Sequence, residues 1–176
     1  MKKLYLLRHG QTEFNVKKLV QGRCDSPLTD LGRKQAGMAA AWLKGHDVVP
    51  DKVVSSPLGR AMDTAQLVAC KLLGPDAAAE PCEGIIERCY GTFEEGPHDA
   101  LPTDVWDPGE DLVPFGGEGS QALQERMVGA LTNLMGSEGI EALLAVSHGS
   151  VSRQFIKAAA PVSYTHLRAH ETRRHL

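Results

Sequence analysis

Five side chains that follow short apolar runs have the types needed to cleave a phosphate ester. They are Arg8, His9, Arg60, Glu87 and His148. Guanidinium groups match the oxygens of a phosphate dianion and keep their charge at any working pH. Beside them an imidazole stays neutral and can act as a nucleophile, while a carboxyl group can protonate a leaving alkoxide. Gathered in one place, these groups could transfer a phosphoryl group through a phosphohistidine, with no metal ion and no organic cofactor.

The same residues also have structural explanations when each is taken alone. A single Arg-His-Gly tripeptide is a weak signal, and a histidine at a strand end is more often hydrogen-bonded than catalytic. Arg60 lies one turn into a predicted helix, where a charged side chain is usually solvated. The chemical interpretation therefore depends on whether the fold brings the five residues together.

Apolar runs and helical spacing predict the elements that would do this. Short strands are predicted at residues 4–7, 52–56, 84–87 and 142–146, with helices between them. This alternation indicates an α/β fold, a three-layer sandwich with a mainly parallel sheet flanked by helices. Ligands bind outside the carboxyl ends of the strands in such a sheet. The residues at these ends are His9, Ser55, Ser56, Glu87 and His148.

Three helices can be placed from their boundary signals. Thr29 is a good N-cap for a helix that Gly45 ends. The apolar positions that define its expected core face are Leu31, Met38, Ala39, Trp42 and Leu43. Pro57 suits the first turn of the next helix, and Ser120 is expected to begin a later one.

Two segments are predicted to be irregular. Residues 16–27 are predicted to form a polar connection between the first strand and the first long helix. Residues 89–125 contain eight Asp or Glu side chains before Glu125 and no Lys or Arg, with several Pro and Gly. A connection of this length is usually functional or disordered, so we expect it to act as a lid over the site.

Composition limits the class of protein. A chain of 176 residues with 42% hydrophobic content can build one core, so we expect one domain. A net charge of −3 gives no general footprint for nucleic acid or an anionic membrane, and we expect neither as a partner. The four cysteines have no CxxC or zinc-finger spacing, and no signal peptide or membrane span is evident, which favours a cytoplasmic protein. A homodimer is left open.

The last fifteen residues do not resemble evolved protein. Residues 162–172 look like the in-frame translation of a sequencing-library adapter, and residues 173–176 continue it. We therefore expect residues 1–161 to be the domain, truncated at its C-terminal end, and residues 162–176 to be a non-native tail. A genuine basic helix is the alternative.

Several short motifs together resemble the histidine phosphatase superfamily, and within it the phosphoglycerate mutase-like branch. The motifs are Arg8-His9-Gly10 with Thr12 and Asn15, then Ser26-Pro27-Leu28-Thr29 with Gly32, then Ser55-Ser56-Pro57 with Arg60, Ala61 and Thr64, then Glu87, then Ser147-His148-Gly149. They cover residues 1–160 in the family's order.

The resemblance implies a role for each matching residue. His9 would carry the phosphoryl group, Glu87 would donate the proton, and Arg8, Arg60 and His148 would form the phosphate pocket. The resemblance also implies a lining of the substrate pocket by Asn15, Gln21, Gly22 and Gly149. The family often has Gly-Glu-Ser before the late helix, whereas this chain has an extra glycine there, so Glu118 receives no role.

The acidic segment favours one activity within the family. A mutase must hold the carboxylate and a second phosphate of a phosphoglycerate, which requires further basic residues, and residues 89–125 supply none. We therefore expect a phosphomonoesterase that acts on a small phosphorylated metabolite. The alternatives are a cofactor-dependent phosphoglycerate mutase and a phosphate-binding protein without turnover.

Overall fold

The computed structural model describes residues 1–159. Four strands and five α-helices follow one another along this part of the chain. They are β1 (Lys3–Arg8), α1 (Glu13–Lys17), α2 (Asp30–Gly45), β2 (Lys52–Ser55), α3 (Gly59–Leu73), β3 (Glu80–Pro81), α4 (Ser120–Gly136), β4 (Ala142–Ser147) and α5 (Gly149–Ala158). The expected tail, residues 162–176, and the expected domain boundary at residue 161 lie outside the described residues.

All four strands pair in parallel in the order β1-β4-β2-β3, so the last strand in sequence lies between the first two. Side chains that alternate along β4 point to opposite faces. Leu144 and Val146 pack with buried residues of α2 and α3, while Leu143 and Ala145 pack with those of α4 and α5. The predicted α/β sandwich with a parallel sheet is confirmed.

The third strand differs from the prediction. Residues 84–87 do not form a strand, because Glu83–Ile85 is a 3-10 helix. The third strand of the sheet, β3, lies earlier in the chain and consists of only two residues, Glu80–Pro81. The apolar character of this run has another cause. Ile85 is fully buried in the core on the α4 side of the sheet, and its carbonyl oxygen accepts a hydrogen bond from the Ser147 hydroxyl at 2.8 Å.

The helix boundaries and faces are partly as predicted. The Thr29 hydroxyl accepts the Gly32 N–H at 3.0 Å and caps α2, which ends at Gly45, and α4 begins at Ser120. Pro57 lies outside α3, because Leu58 is extended and forms the N-cap. Residues 16–27 are not wholly irregular, since α1 extends to Lys17.

The core face predicted for α2 is wrong for its larger side chains. Leu31, Met38 and Trp42 are 49%, 64% and 40% exposed, respectively. The buried face consists of small residues with one leucine, namely Gly32, Ala36, Ala40 and Leu43. These residues face the alanine-rich side of α3, and small side chains on both helices allow the two backbones to approach closely.

The segment between β3 and α4 carries a small core of its own. We call residues 89–119 the lid; it contains three of the 3-10 helices, and its buried side chains Tyr90, Leu101 and Leu112 pack around Val20. Several carboxylates of the lid accept hydrogen bonds from other parts of the protein. The Glu94 carboxylate, for example, accepts the backbone N–H groups of Arg23, Cys24 and Tyr90. No helix among residues 1–159 is long and apolar enough to cross a bilayer.

Candidate active site

Parallel pairing brings the ends of three strands to one edge of the sheet. Arg8 lies opposite Ser147 on β4, and Ser55 lies opposite Val146. The residues that follow extend this pairing, because the His9 N–H donates to the Ser147 carbonyl at 3.0 Å and the Ser56 N–H donates to the Val146 carbonyl at 2.9 Å. His9, Ser56 and His148 therefore stand side by side at the carboxyl edge, as the sequence predicted.

His9 is held in the tautomer that a nucleophile needs. Its Nδ1 lies 2.7 Å from the Gly10 carbonyl oxygen, which can only accept, so Nδ1 carries the proton. The lone pair is then on Nε2, which accepts a hydrogen bond from the Nε–H of Arg60 at 3.3 Å. Burial, and then the positive charges of Arg60 and Arg8, hold the pKa of His9 well below its usual value. The imidazole is therefore neutral at physiological pH.

Arg60 is almost completely buried, at 1% exposure. Besides His9, its guanidinium binds the Cys24 carbonyl at 2.8 Å, the Gly22 carbonyl at 2.7 Å and an Asp25 carboxylate oxygen at 3.1 Å. A guanidinium has five N–H groups, so these bonds leave one for a ligand. The alternative explanation, that Arg60 is a solvated arginine on the surface of its helix, is therefore wrong.

Arg8 is engaged differently. Within residues 1–159, its guanidinium donates no hydrogen bond to the protein, and its central carbon lies 5.1 Å from the ring centre of Trp106 on the lid. Stacking on one face of a guanidinium leaves its N–H edge free for an anion. Gly149 makes this arrangement possible, because a β-carbon there would lie 2.8 Å from the Trp106 ring and 3.4 Å from the Arg8 guanidinium.

His148 lies behind His9 rather than in the open cleft. It is fully buried, and its ring stands edge-on to that of His9, with 5.1 Å between the two ring centres. Its Nε2 lies 2.7 Å from the Ser56 hydroxyl oxygen. Burial first, and then the unfavourable interaction that a charged His148 would have with His9 and the nearby arginines, lowers its pKa well below the usual value. Its Nδ1 has no hydrogen-bond partner among the described residues. Contact between His148 and a phosphoryl oxygen stays a prediction.

Glu87 reaches the site from the turn after the 3-10 helix and is 8% exposed. Its Oε1 accepts the N–H groups of Arg88 at 2.8 Å and Val151 at 3.1 Å, and its Oε2 accepts that of Ser150 at 3.3 Å. Two of these donors belong to the first turn of α5. Each carboxylate oxygen can accept two hydrogen bonds, so Oε2 keeps one position where a proton could reside.

These residues surround one cleft under the lid. Seven of the nine residues predicted from the sequence line it, namely Arg8, His9, Asn15, Gln21, Gly22, Arg60 and Glu87. His148 and Gly149 support the cleft without lining it. The cavity volume is about 50 Å³, several times the roughly 10–15 Å³ that one water requires. The cleft can therefore hold a compact anion, while the rest of a larger ligand must extend out of it.

Comparisons with known proteins identify the family of the chain. Residues 4–175 match the histidine phosphatase superfamily (branch 1). The chain belongs to the histidine phosphatase superfamily. A broad-specificity phosphatase of Saccharomyces cerevisiae is 31% identical over 158 residues, which are 88% of this chain and 69% of that protein.

Two other matches show the range of the family. A probable phosphoglycerate mutase of Cronobacter sakazakii is 34% identical over 157 residues, covering 85% of this chain and 70% of that protein. The solved structure of a mutant phosphoserine phosphatase from Entamoeba histolytica, in complex with phosphoserine, is 32% identical with a TM-score of 0.76. That match covers 92% of this chain and 81% of the other.

Two residues of this histidine phosphatase were missed by the sequence analysis. Arg88 is fully buried and binds the Ser150 hydroxyl at 3.0 Å, the Glu118 carbonyl at 2.6 Å and the Ser120 hydroxyl at 2.9 Å. It thus ties the lid to the starts of α4 and α5. Its position directly after Glu87 was the available signal. Trp106 gave no such signal, because it is one of four aromatic residues in the acidic segment.

Glu118, which received no role from the sequence, has a structural one. Its carboxylate pairs with Arg126 of α4 at 2.6 Å and lies 3.7 Å from the Arg23 guanidinium. The pKa of this carboxyl group is lowered; burial opposes the shift, and the bonds from Arg126 outweigh it. Glu118 therefore anchors the end of the lid. Among the described residues, no group of His, Cys, Asp and Glu side chains is arranged to hold a metal ion.

Proposed function

We propose that this histidine phosphatase hydrolyses small phosphorylated metabolites through a phosphohistidine on His9. The observation that carries the proposal is the state of the His9 ring. Its Nδ1 proton is directed to the Gly10 carbonyl, and its Nε2 lone pair faces the Arg60 guanidinium in a cleft that Arg8 also lines. A neutral, oriented imidazole next to an anion site is what attack on a phosphomonoester requires.

The reaction would proceed in two displacements at phosphorus. Nε2 of His9 forms a bond to phosphorus as the bond to the ester oxygen breaks, and Glu87 gives its proton to the leaving alkoxide. Glu87, now a carboxylate, then takes a proton from water as the water oxygen attacks the phosphohistidine. Inorganic phosphate leaves and His9 is regenerated. The guanidinium groups of Arg8 and Arg60 stabilise the negative charge at both transition states, so no metal ion is needed for that task.

The cleft favours hydrolysis over the mutase reaction. A phosphoglycerate mutase needs cations for a carboxylate and a second phosphate. The only arginines that line this cleft among the described residues are Arg8 and Arg60, and neither a lysine nor an arginine occurs in the lid. Rapid interconversion of 2- and 3-phosphoglycerate with little release of inorganic phosphate would contradict the proposal.

The variant His9→Ala tests the nucleophile. We expect it to lose acid-labile, alkali-stable incorporation of ³²P from a labelled phosphomonoester and to lose phosphate release, while it still binds phosphate through Arg8 and Arg60. His46→Ala is a matched control, because that ring is exposed and stacks on Trp42 of α2. Unchanged hydrolysis by His9→Ala would refute the assignment. Phosphate binding without any turnover in the wild-type chain would instead support the non-catalytic alternative.

We also propose a cytoplasmic location and a single small-molecule partner, without nucleic acid or membrane. Four free cysteines among residues 1–159 and a net charge of −3 are the support. A homodimer stays a prediction, which sedimentation equilibrium would test.

A further inference from the structure

The lining of the cleft has two chemically different parts. One part carries the cations and polar groups, and it consists of Arg8, His9, Asn15, Gln21, Gly22, Arg60, Glu87 and Ser150. The other, which we call the outer part, is apolar or aromatic, and it consists of Leu19, Val20, Tyr90, Val105 and Trp106, with the imidazole of His98. In a phosphomonoesterase the leaving alcohol would occupy this part of the cleft, so its lining selects the substrate.

This outer part offers no free cation to a second anionic group. Arg60 has four of its N–H groups bonded to protein, and Arg8 faces the phosphate position. Apart from Arg8 and Arg60, no lysine or arginine lines the cleft among the described residues, and Lys157 beside the lid is paired with Asp107. His98 directs its Nε2 to the Leu19 carbonyl at 3.1 Å. A carboxylate placed here would lose water without gaining a counter-charge, which is costly.

Trp106 is the residue of this lining with a ring surface left for a ligand. One face covers Arg8, yet the residue is 39% exposed. Its backbone is fixed on both sides. The Tyr90 hydroxyl donates to the Val105 carbonyl at 2.7 Å, and the Asp107 carboxylate accepts bonds from Gln154 at 2.6 Å and from Lys157 on α5. A ring held this way can contact a ligand without first being ordered.

We propose that the substrates of this site are phosphomonoesters of uncharged alcohols with an apolar or aromatic surface, and that Trp106 selects them. The inference rests on the proposed function for the identity of the leaving group. It separates this chain from enzymes that act on phosphorylated amino acids or hydroxy acids, whose leaving groups carry a carboxylate.

Binding measurements with non-hydrolysable phosphonates test this without turnover. Methylphosphonate probes the anion site alone, benzylphosphonate adds a ring, and 3-phosphonopropionate adds a carboxylate. For the wild-type chain, we expect calorimetry to give a Kd for benzylphosphonate about three- to tenfold below that for methylphosphonate, the range that one aromatic contact supplies. The Kd for 3-phosphonopropionate should be the highest of the three. Binding of 3-phosphonopropionate as tightly as benzylphosphonate would overturn the proposal.

Variants then assign the preference to Trp106. The ratio of the methylphosphonate Kd to the benzylphosphonate Kd cancels any effect on the anion site, and Trp106→Ala should bring it to about 1, while Trp106→Phe should keep most of it. Trp42→Ala is the matched control, since the other tryptophan is 40% exposed on α2 and does not line the cleft. An unchanged ratio in Trp106→Ala would refute the role of this ring. If Trp106→Ala does not fold, the order of the three phosphonate Kd values in the wild-type chain and the Kd ratio in Trp106→Phe still test the proposal.

Turnover separates this inference from the proposed function. Benzyl phosphate and O-phosphoserine both release primary alkoxides, and we expect kcat/KM to favour benzyl phosphate by about tenfold. Preference for O-phosphoserine would overturn the substrate class and leave the phosphatase proposal standing. Hydrolysis of neither ester, with no phosphohistidine formed, would remove the proposed function, and the phosphonate order would still report on the chemistry of the cleft.

Discussion

Replacement of Arg60 by methionine should destabilise the fold as well as stop catalysis. Methionine keeps most of the apolar volume of the arginine stem and removes all of its donors. Arg60 is 1% exposed and joins α3 to the loop before α2 through the carbonyls of Gly22 and Cys24 and the carboxylate of Asp25. The substitution therefore removes the hydrogen bonds that join α3 to this loop, and no strand pairing joins the two segments.

The size of the effect follows from these partners. Each carbonyl left without a donor in a buried site costs about 1–3 kcal/mol. The Asp25 side chain is 43% exposed and can regain water, so its share is small. The carbonyls of Gly22 and Cys24 therefore set the expected decrease in the free energy of unfolding, which is about 2–6 kcal/mol for the two together. For a chain of this length the corresponding decrease in Tm is about 4–24 °C.

Urea unfolding followed by circular dichroism would measure this change. Arg33→Met is the matched control, because Arg33 is also a helical arginine beside an aspartate, Asp30, but its side chain is 53% exposed. We expect the control to change stability by no more than about 0.5 kcal/mol. Equal effects of the two substitutions would mean that Arg60 is an ordinary solvated arginine, and the account of its network would be wrong.

Two further predictions concern the histidines and the space beside Arg8. Burial holds the pKa values of His9 and His148 well below 6.5 in the folded state, so the unfolded chain binds more protons below that pH. The free energy of unfolding should therefore fall as pH decreases below about 6.5, by up to about 1.4 kcal/mol per pH unit for each ring. We expect His148→Gln to reduce this slope when it is measured by urea unfolding. A slope unchanged in that variant would exclude His148 as a source. Gly149→Ala should raise the KM for a phosphomonoester several-fold, because the added β-carbon would displace the Trp106 ring from Arg8. The control is Gly129→Ala in α4, where an added β-carbon would have no neighbour within 4 Å, and it should leave KM unchanged. Equal KM values in the two variants would show that the Arg8 contact has no part in binding.

The sequence predicted those parts of the site that depend on strand ends. Apolar runs end at Arg8 and at Ser147, and parallel pairing through β4 necessarily places the residues that follow them together. Glu87 reaches the same edge by another route, since its apolar run is a 3-10 turn buried against α4 rather than a strand. A short apolar run cannot distinguish these two structures, because both bury it.

The remaining errors also have physical causes. On α2 the larger apolar residues are exposed and the alanines are buried, because close approach to α3 rewards small side chains over hydrophobic ones. The position of Trp106 depends on contacts of Asp107 with α5, fifty residues further along the chain. The lid has no periodic pattern, so nothing local in its sequence indicates which ring would face Arg8.

The central position of β4 determines when the site can form. β1 and β2 do not touch each other in the sheet; each pairs with β4, and Leu4 lies opposite Leu143, which is 139 positions later. During synthesis on the ribosome, the strand that presents His9 has no partner until residue 147 has emerged. Long-range parallel pairing of this kind folds slowly and exposes strand edges in the meantime. The first residues of the active site to be made therefore stay without their strand partner for most of the synthesis of the chain.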